Sequence, residues 1–133
     1  MIVNLTPHPI RIYPPDAPDR LDPADWTPTL ELPRAEDIHP ARIGEQTLGT
    51  AFYVSGVPIE YVEYAPHGGT VHPIPPVQRD DRGQPCVFYV VSLVVGLVLT
   101  YSGHNRPDLL VPYREVRNLD GTVIGCRQLA RPV

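Results

Sequence analysis

CVFYVVSLVVGLVLTY, residues 86–101, decides the fold. The run is uncharged and bracketed by turn chemistry, RDDRGQP before it and SGHNRP after it. It is 16 residues long, and a membrane span needs about 20. The run therefore reads as the water-free centre of a soluble domain, with no membrane partner. It splits in two. Val87–Val91 is β-branched and aromatic, the pattern of a buried strand. Ser92 is placed to cap a helix over about 93–102, and Gly103 to end it. Ser92, Gly96 and Thr100 recur at i, i+4 and i+8, a small-residue stripe that lets another element pack closely. A second strand in place of the helix is the competing reading, because valine supplies five of the residues 87–95.

Working outward, the C-terminal third predicts a short strand at Leu109–Val111. A hairpin follows, from Arg114–Leu119 and Thr122–Gln128, around a two-residue Asp120-Gly121 loop of type I′. On the N-terminal side, residues 2–13 predict a first strand, bent or placed at an edge by Pro7 and Pro9. Residues 14–40 hold seven prolines and five aspartates. They read as a long irregular arm or lid, pinned by Trp26, with a short strand at Thr29–Leu32. Ala51–Val54 and Pro58–Tyr64 predict two strands joined at Ser55-Gly56, with an uncertain register because IEYVEY does not alternate cleanly. PHGGTVHPIPP (66–76) reads as a Gly/Pro loop.

These elements predict one β-rich α+β domain over residues 1–133. Its form is a curved antiparallel sheet or half-open barrel with one packed helix at about 93–102. The 18 prolines leave little room for more helix. Hydrophobic content of 42% with 20% charged residues is globular, not disordered. Net charge is −4 with no block of basic residues, which argues against nucleic acid as a partner. All 11 basic residues are arginine, so lysine-based covalent chemistry is excluded and every fixed cation is a planar fork suited to carboxylates or phosphates. MIVNLTPHPI has no basic n-region or long apolar core, so the expected location is the cytoplasm.

NLTPHPI (4–10), FYVVSLVVGLVL (88–99), RPDLLVP (106–112) and VRNLDGTVIGCRQL (116–129) resemble a family of small uncharacterised proteins. That family occurs in bacteriophages, prophages and bacterial genomes and opens with N-L-T-P-H. The resemblance covers about half of the chain. It implies a phage-linked or accessory protein of the host cytoplasm and names no reaction. Residues 14–40 and 65–85 depart from the family in being longer and richer in proline.

Candidate chemistry is sparse. Pro7 and Pro9 hold His8 on a stiff backbone, which suits either a ligand-contacting or proton-handling group, or a ring hydrogen-bonded inside a bent strand. Arg106, Asp108, Arg114 and Arg117 cluster in sequence. Their guanidinium groups either converge on an anion or form surface ion pairs. His67 and His72 flank Gly68-Gly69, but no zinc-ligand spacing occurs with Cys86, Cys126, His8 or His39, so no metal and no cofactor is expected. Cys86 and Cys126 read as small buried hydrophobes.

The leading expectation is a non-enzymatic binding protein. It would capture a small anionic, nucleotide-like ligand with His8, Arg42, Arg106, Asp108, Arg114 and Arg117. One alternative is a homo-oligomeric virion or assembly protein acting through sheet edges, with 14–40 wrapping a neighbour. The other is a small hydrolase using His8 with a carboxylate.

Overall fold

The computed structural model describes residues 1–64, 70–72, 74–104 and 106–133, with backbone alone at 70–72. His67, Gly68-Gly69 and the His72 side chain, singled out above, lie outside the described residues. Among the described residues the strands are β1 (Ile2–Asn4), β2 (Ile10–Ile12), β3 (Leu30–Leu32), β4 (Arg42–Ile43), β5 (Glu45–Val54), β6 (Val57–Tyr64), β7 (Thr70–His72) and β8 (Phe88–Val90). The helix α1 (Leu93–Tyr101) comes next, and β9 (Leu109–Arg117) and β10 (Val123–Ala130) complete the order.

The centre of the fold is the strand–helix split of the apolar run. Ser92 is the N-cap of α1 and its hydroxyl accepts from Val95 N at 3.3 Å. Gly103, at φ 82, follows the helix in the left-handed region. Val87, Tyr89 and Val91 point to the helix side of β8, where they join Val95, Leu99, Leu109 and Val111 in one core cluster. Val90 points the other way, into a second cluster with Ile10, Leu32 and Cys126. Burying each of these aliphatic side chains contributes about 1.5–3 kcal/mol. Gly96 lets α1 lie directly on β9, because a Cβ there would overlap Val111 Cγ1. Thr100, one turn on, bonds back to Gly96 O at 2.8 Å.

Six strands form one curved sheet in the order β1-β8-β9-β10-β2-β3. A bridge between Asn4 and Arg34, just past β3, brings its two margins together, so the sheet is a nearly closed, barrel-like surface. The β-rich α+β expectation therefore holds. The pairing is mixed rather than uniformly antiparallel: β1·β8, β8·β9 and β10·β2 run parallel, while β9·β10 and β2·β3 run antiparallel. The cause is the helix itself. A helix between two neighbouring strands returns the chain to its starting end, so β8 and β9 must be parallel.

Three other expectations change. The single strand over 2–13 is two short strands around a turn at 5–9. The strand pieces at 109–111 and 114–119 are one strand, β9. Its hairpin with β10 does not close through a two-residue type I′ loop, since Asp120 lacks the positive φ that turn requires. Asn118 seeds a wider loop instead, its Oδ1 accepting from Asp120 N and Thr122 N, both at 3.0 Å. The paired positive φ values occur at Ser55 (50°) and Gly56 (78°), between β5 and β6.

The excursion 14–40 is neither a free arm nor a lid. Ala17 and Leu21 are buried with Tyr13 and Val116, and Trp26 packs against them. Leu21 N donates to Arg117 O at 2.9 Å, Arg117 N donates to Asp19 O at 2.8 Å, and Arg127 Nη1 reaches Ala17 O at 2.8 Å. The apolar residues at 17, 21 and 26 hold this segment to its own barrel despite the prolines. Cys86 also differs: it is exposed, because it precedes β8 at the end of a loop, whereas Cys126 is buried. Both thiols are free. Burial pushes the Cys126 thiol above its ordinary value, against the opposing pull of backbone hydrogen bonds at Tyr113 and Gln128. Among the described residues no helix is long and apolar enough to cross a membrane.

Candidate functional site

The turn carrying N-L-T-P-H-P is held by one side chain. Asn4 is buried, and its Nδ2 donates to His8 O at 2.8 Å and to Leu32 O at 3.1 Å. Its Oδ1 accepts from Thr6 N at 2.9 Å and lies 2.7 Å from Thr6 Oγ1, whose one proton is shared between that oxygen and His8 O at 2.9 Å. Both amide protons and the amide oxygen are thus satisfied, which makes this buried group a rigid anchor rather than a cost. The turn it builds leaves Pro7, His8 and Pro9 exposed. His8 is presented outward, not hydrogen-bonded within a strand.

His8 lines a cavity of about 410 Å³ whose other walls include Pro9, Leu93, Pro112, Ile124 and Cys126. A second cavity of about 650 Å³ lies on the other side of Pro7 and Ser92, which line both. Its walls include Arg42, Glu45, Tyr64 and Val94. The two form one groove across the N-terminal end of α1. Leu93 and Val94 are 51% and 61% exposed there, the part of the apolar run that the core does not absorb.

His8 and Arg42 sit in the two adjoining cavities of this groove, and the other sequence-derived site residues do not join them. Arg42 lines the second cavity, His8 the first, and Arg106 a third beside His104 and Arg131. Asp108 is fully buried and takes the Arg106 guanidinium in a two-point contact, Nε to Oδ1 at 2.9 Å and Nη2 to Oδ2 at 2.8 Å. Arg106 Nη2 also donates to Pro75 O at 2.6 Å. That pair is a structural clamp joining the loop before β9 to the chain at Pro75. Arg117 pairs with Glu115 at 3.0 Å and donates to Gly121 O at 2.9 Å, bracing the hairpin loop. Arg114, at φ 58, lies over the Tyr113 ring, 5.5 Å from its centroid. Among the described residues His8 makes no ion pair with a carboxylate.

A large exposed apolar feature is one that sequence reasoning left unassigned. β5 and β6 form a two-stranded sheet of their own. No residue of 45–64 is buried, and only Ala51 and Ile59 are half-buried. Ten residues of β5 at about 3.3 Å each make an arm about 33 Å long. Register pairs Val54 with Val57, Phe52 with Ile59 and Gly49 with Tyr61. Because directly paired residues share a face, Phe52, Val54, Val57, Ile59 and Tyr61 form one apolar face. The other face is mixed, with Thr50 Oγ1 donating to Glu60 Oε1 at 2.8 Å. Two register shifts along β5 displace its alternation, which is why the pattern is hard to read from that strand. The legible signal is V-x-I-x-Y at 57, 59 and 61 on β6.

Comparison with known proteins returns no match to a family model, a curated protein or a solved structure.

Proposed function

We propose that this chain is a non-enzymatic assembly protein of phage or prophage accessory type, whose working element is the arm 45–64. One observation carries the reading: a hairpin with no buried residue presents the contiguous apolar face Phe52, Val54, Val57, Ile59 and Tyr61. A two-stranded ribbon alone in water is marginal at best, so an arm of this kind is stabilised by what it binds. Of the 18 large apolar side chains exposed among the described residues, eight lie on this arm, which concentrates the unsatisfied apolar surface in one element. Both outer edges of the ribbon also carry unpaired backbone groups.

This reading has more support than capture of a small anion. Arg106 and Arg117 are neutralised by Asp108 and Glu115, Arg114 lies over the Tyr113 ring, and only Arg42 of the four arginines shares the groove with His8. The hydrolase reading needs a carboxylate on His8, and none pairs with it among the described residues. Sedimentation velocity on the full chain, from low to high micromolar concentration, is the test. A defined oligomer that dissociates on dilution is expected. A monomer throughout the range overturns the assembly reading.

A further inference from the structure

We infer that the arm of one copy seats its apolar face in the groove across the N-terminal end of α1 on a second copy, in a reciprocal exchange. The assignment rests on the assembly reading above and names the occupant of the groove.

The chain exposes 8766 Å², whereas a compact monomer of 14.8 kDa exposes about 7,000 Å². The excess is about 1,800 Å². A standard interface takes about 800 Å² from each partner. A chain that both gives an arm and receives one would bury about twice that area, which is comparable to the excess.

Donor and acceptor surfaces also match in chemistry. The groove offers Pro7, Pro9, Leu93, Pro112, Val123 and Ile124, an apolar lining left open to solvent. Its volumes of about 410 and 650 Å³ fall in the ~300–1,000 Å³ range of sites that take large apolar groups. The arm carries Glu45, Glu60 and Glu63 and no arginine, lysine or histidine. Arg42, on the groove wall, makes no ion pair among the described residues. The groove wall also carries Glu45 and Glu115, the latter paired with Arg117, so the complementarity is local: Arg42, without an ion pair among the described residues, is the cation that an arm glutamate would meet. The same acidity opposes insertion into an anionic bilayer.

Glu45 and Tyr64, the first and last residues of the arm, line the same groove that receives an arm. Donor root and acceptor site are therefore neighbours. Two copies that exchange arms bring both roots together across a two-fold axis. This isologous arrangement closes on itself and leaves no groove for a third copy. An arm about 33 Å long carries its Phe52–Val57 tip far from its own root, so the groove beside that root is filled from outside.

The test is a mixed cross-linking experiment on the full chain in a Cys86→Ser background, which removes the exposed thiol. One preparation carries Val54→Cys on the apolar face at the arm tip, the other Leu93→Cys in the groove. They are mixed at a concentration where light scattering reports an oligomer. The expected result is an intermolecular disulfide between the two variants that forms about tenfold faster than between Val54→Cys and a control at Asp81→Cys, because docking raises the effective concentration of the two thiols. Leu93→Glu, at a position already half-exposed, should weaken association about tenfold or more, as a like charge meets the acidic arm, with an unchanged circular dichroism spectrum. An oligomer whose disulfide between positions 54 and 93 forms no faster than the control overturns the groove assignment and leaves the assembly reading standing. Absence of any oligomer overturns both.

Discussion

The tripeptide Phe-Tyr-Val occurs twice in this chain, at 52–54 on β5 and at 88–90 on β8. On β8 it is interior: Tyr89 is 2% exposed and Val90 is 0%. On β5 the same residues are 56%, 68% and 51% exposed. Local propensity is therefore identical, and both copies are strands. What differs is the number of neighbours. β8 has a strand on each side, a helix over one face and the barrel interior under the other. β5 has one strand beside it, and none of its residues is buried. Backbone pairing forms a strand, but only layers on its faces remove it from water.

Tyr89→Ala should cost about 3–5 kcal/mol, the range for removing a buried aromatic ring, measured by urea denaturation; a loss below ~1 kcal/mol would contradict the burial of β8. Arg106→Ala leaves the Asp108 carboxylate buried without its partner and should cost about 3–5 kcal/mol. A variant of wild-type stability would return Arg106 to the pool of cations free to bind an anion.

Gly96→Ala pushes a methyl group into Val111 across the helix–sheet contact and should cost about 1–3 kcal/mol, seen as a lower melting temperature. Ser92→Ala removes the cap of α1 and should cost about 1 kcal/mol, readable in the same melt. The smallest effect is the sharpest contrast with Tyr89. Phe52→Ala, on the apolar face of the arm, should change the stability of the dilute chain by less than about 0.5 kcal/mol, while it weakens association at high concentration. A large loss of monomer stability would mean that the arm packs on its own barrel.

Much of the barrel is legible in the residues. The split of 86–101 into strand and helix follows from Ser92 as a cap and from the change from β-branched to mixed apolar residues. The expected end of the helix at 102 is its C-cap, Ser102. The strand at Thr29–Leu32 and the turn at Ser55-Gly56 likewise come from local chemistry, and each is found within a residue of its place. Strand direction is not legible this way, because parallel pairing depends on where the chain re-enters the sheet. The candidate site is less legible still. Arginine counts and spacing say that forks are present, but whether a fork meets a ligand or a carboxylate of its own chain depends on contacts such as Arg106 with Asp108 and Pro75.

By itself the sequence determined a β-rich domain, its one helix and the apolar segment that would lie at its centre. Hydrophobic content, capping residues and glycine positions act over a few neighbours in the chain. Tertiary structure alone decided which apolar strand would be covered, that 14–40 is bound down and that 45–64 stands free. Those outcomes depend on the layers that distant segments supply, and a strand cannot encode its own neighbours.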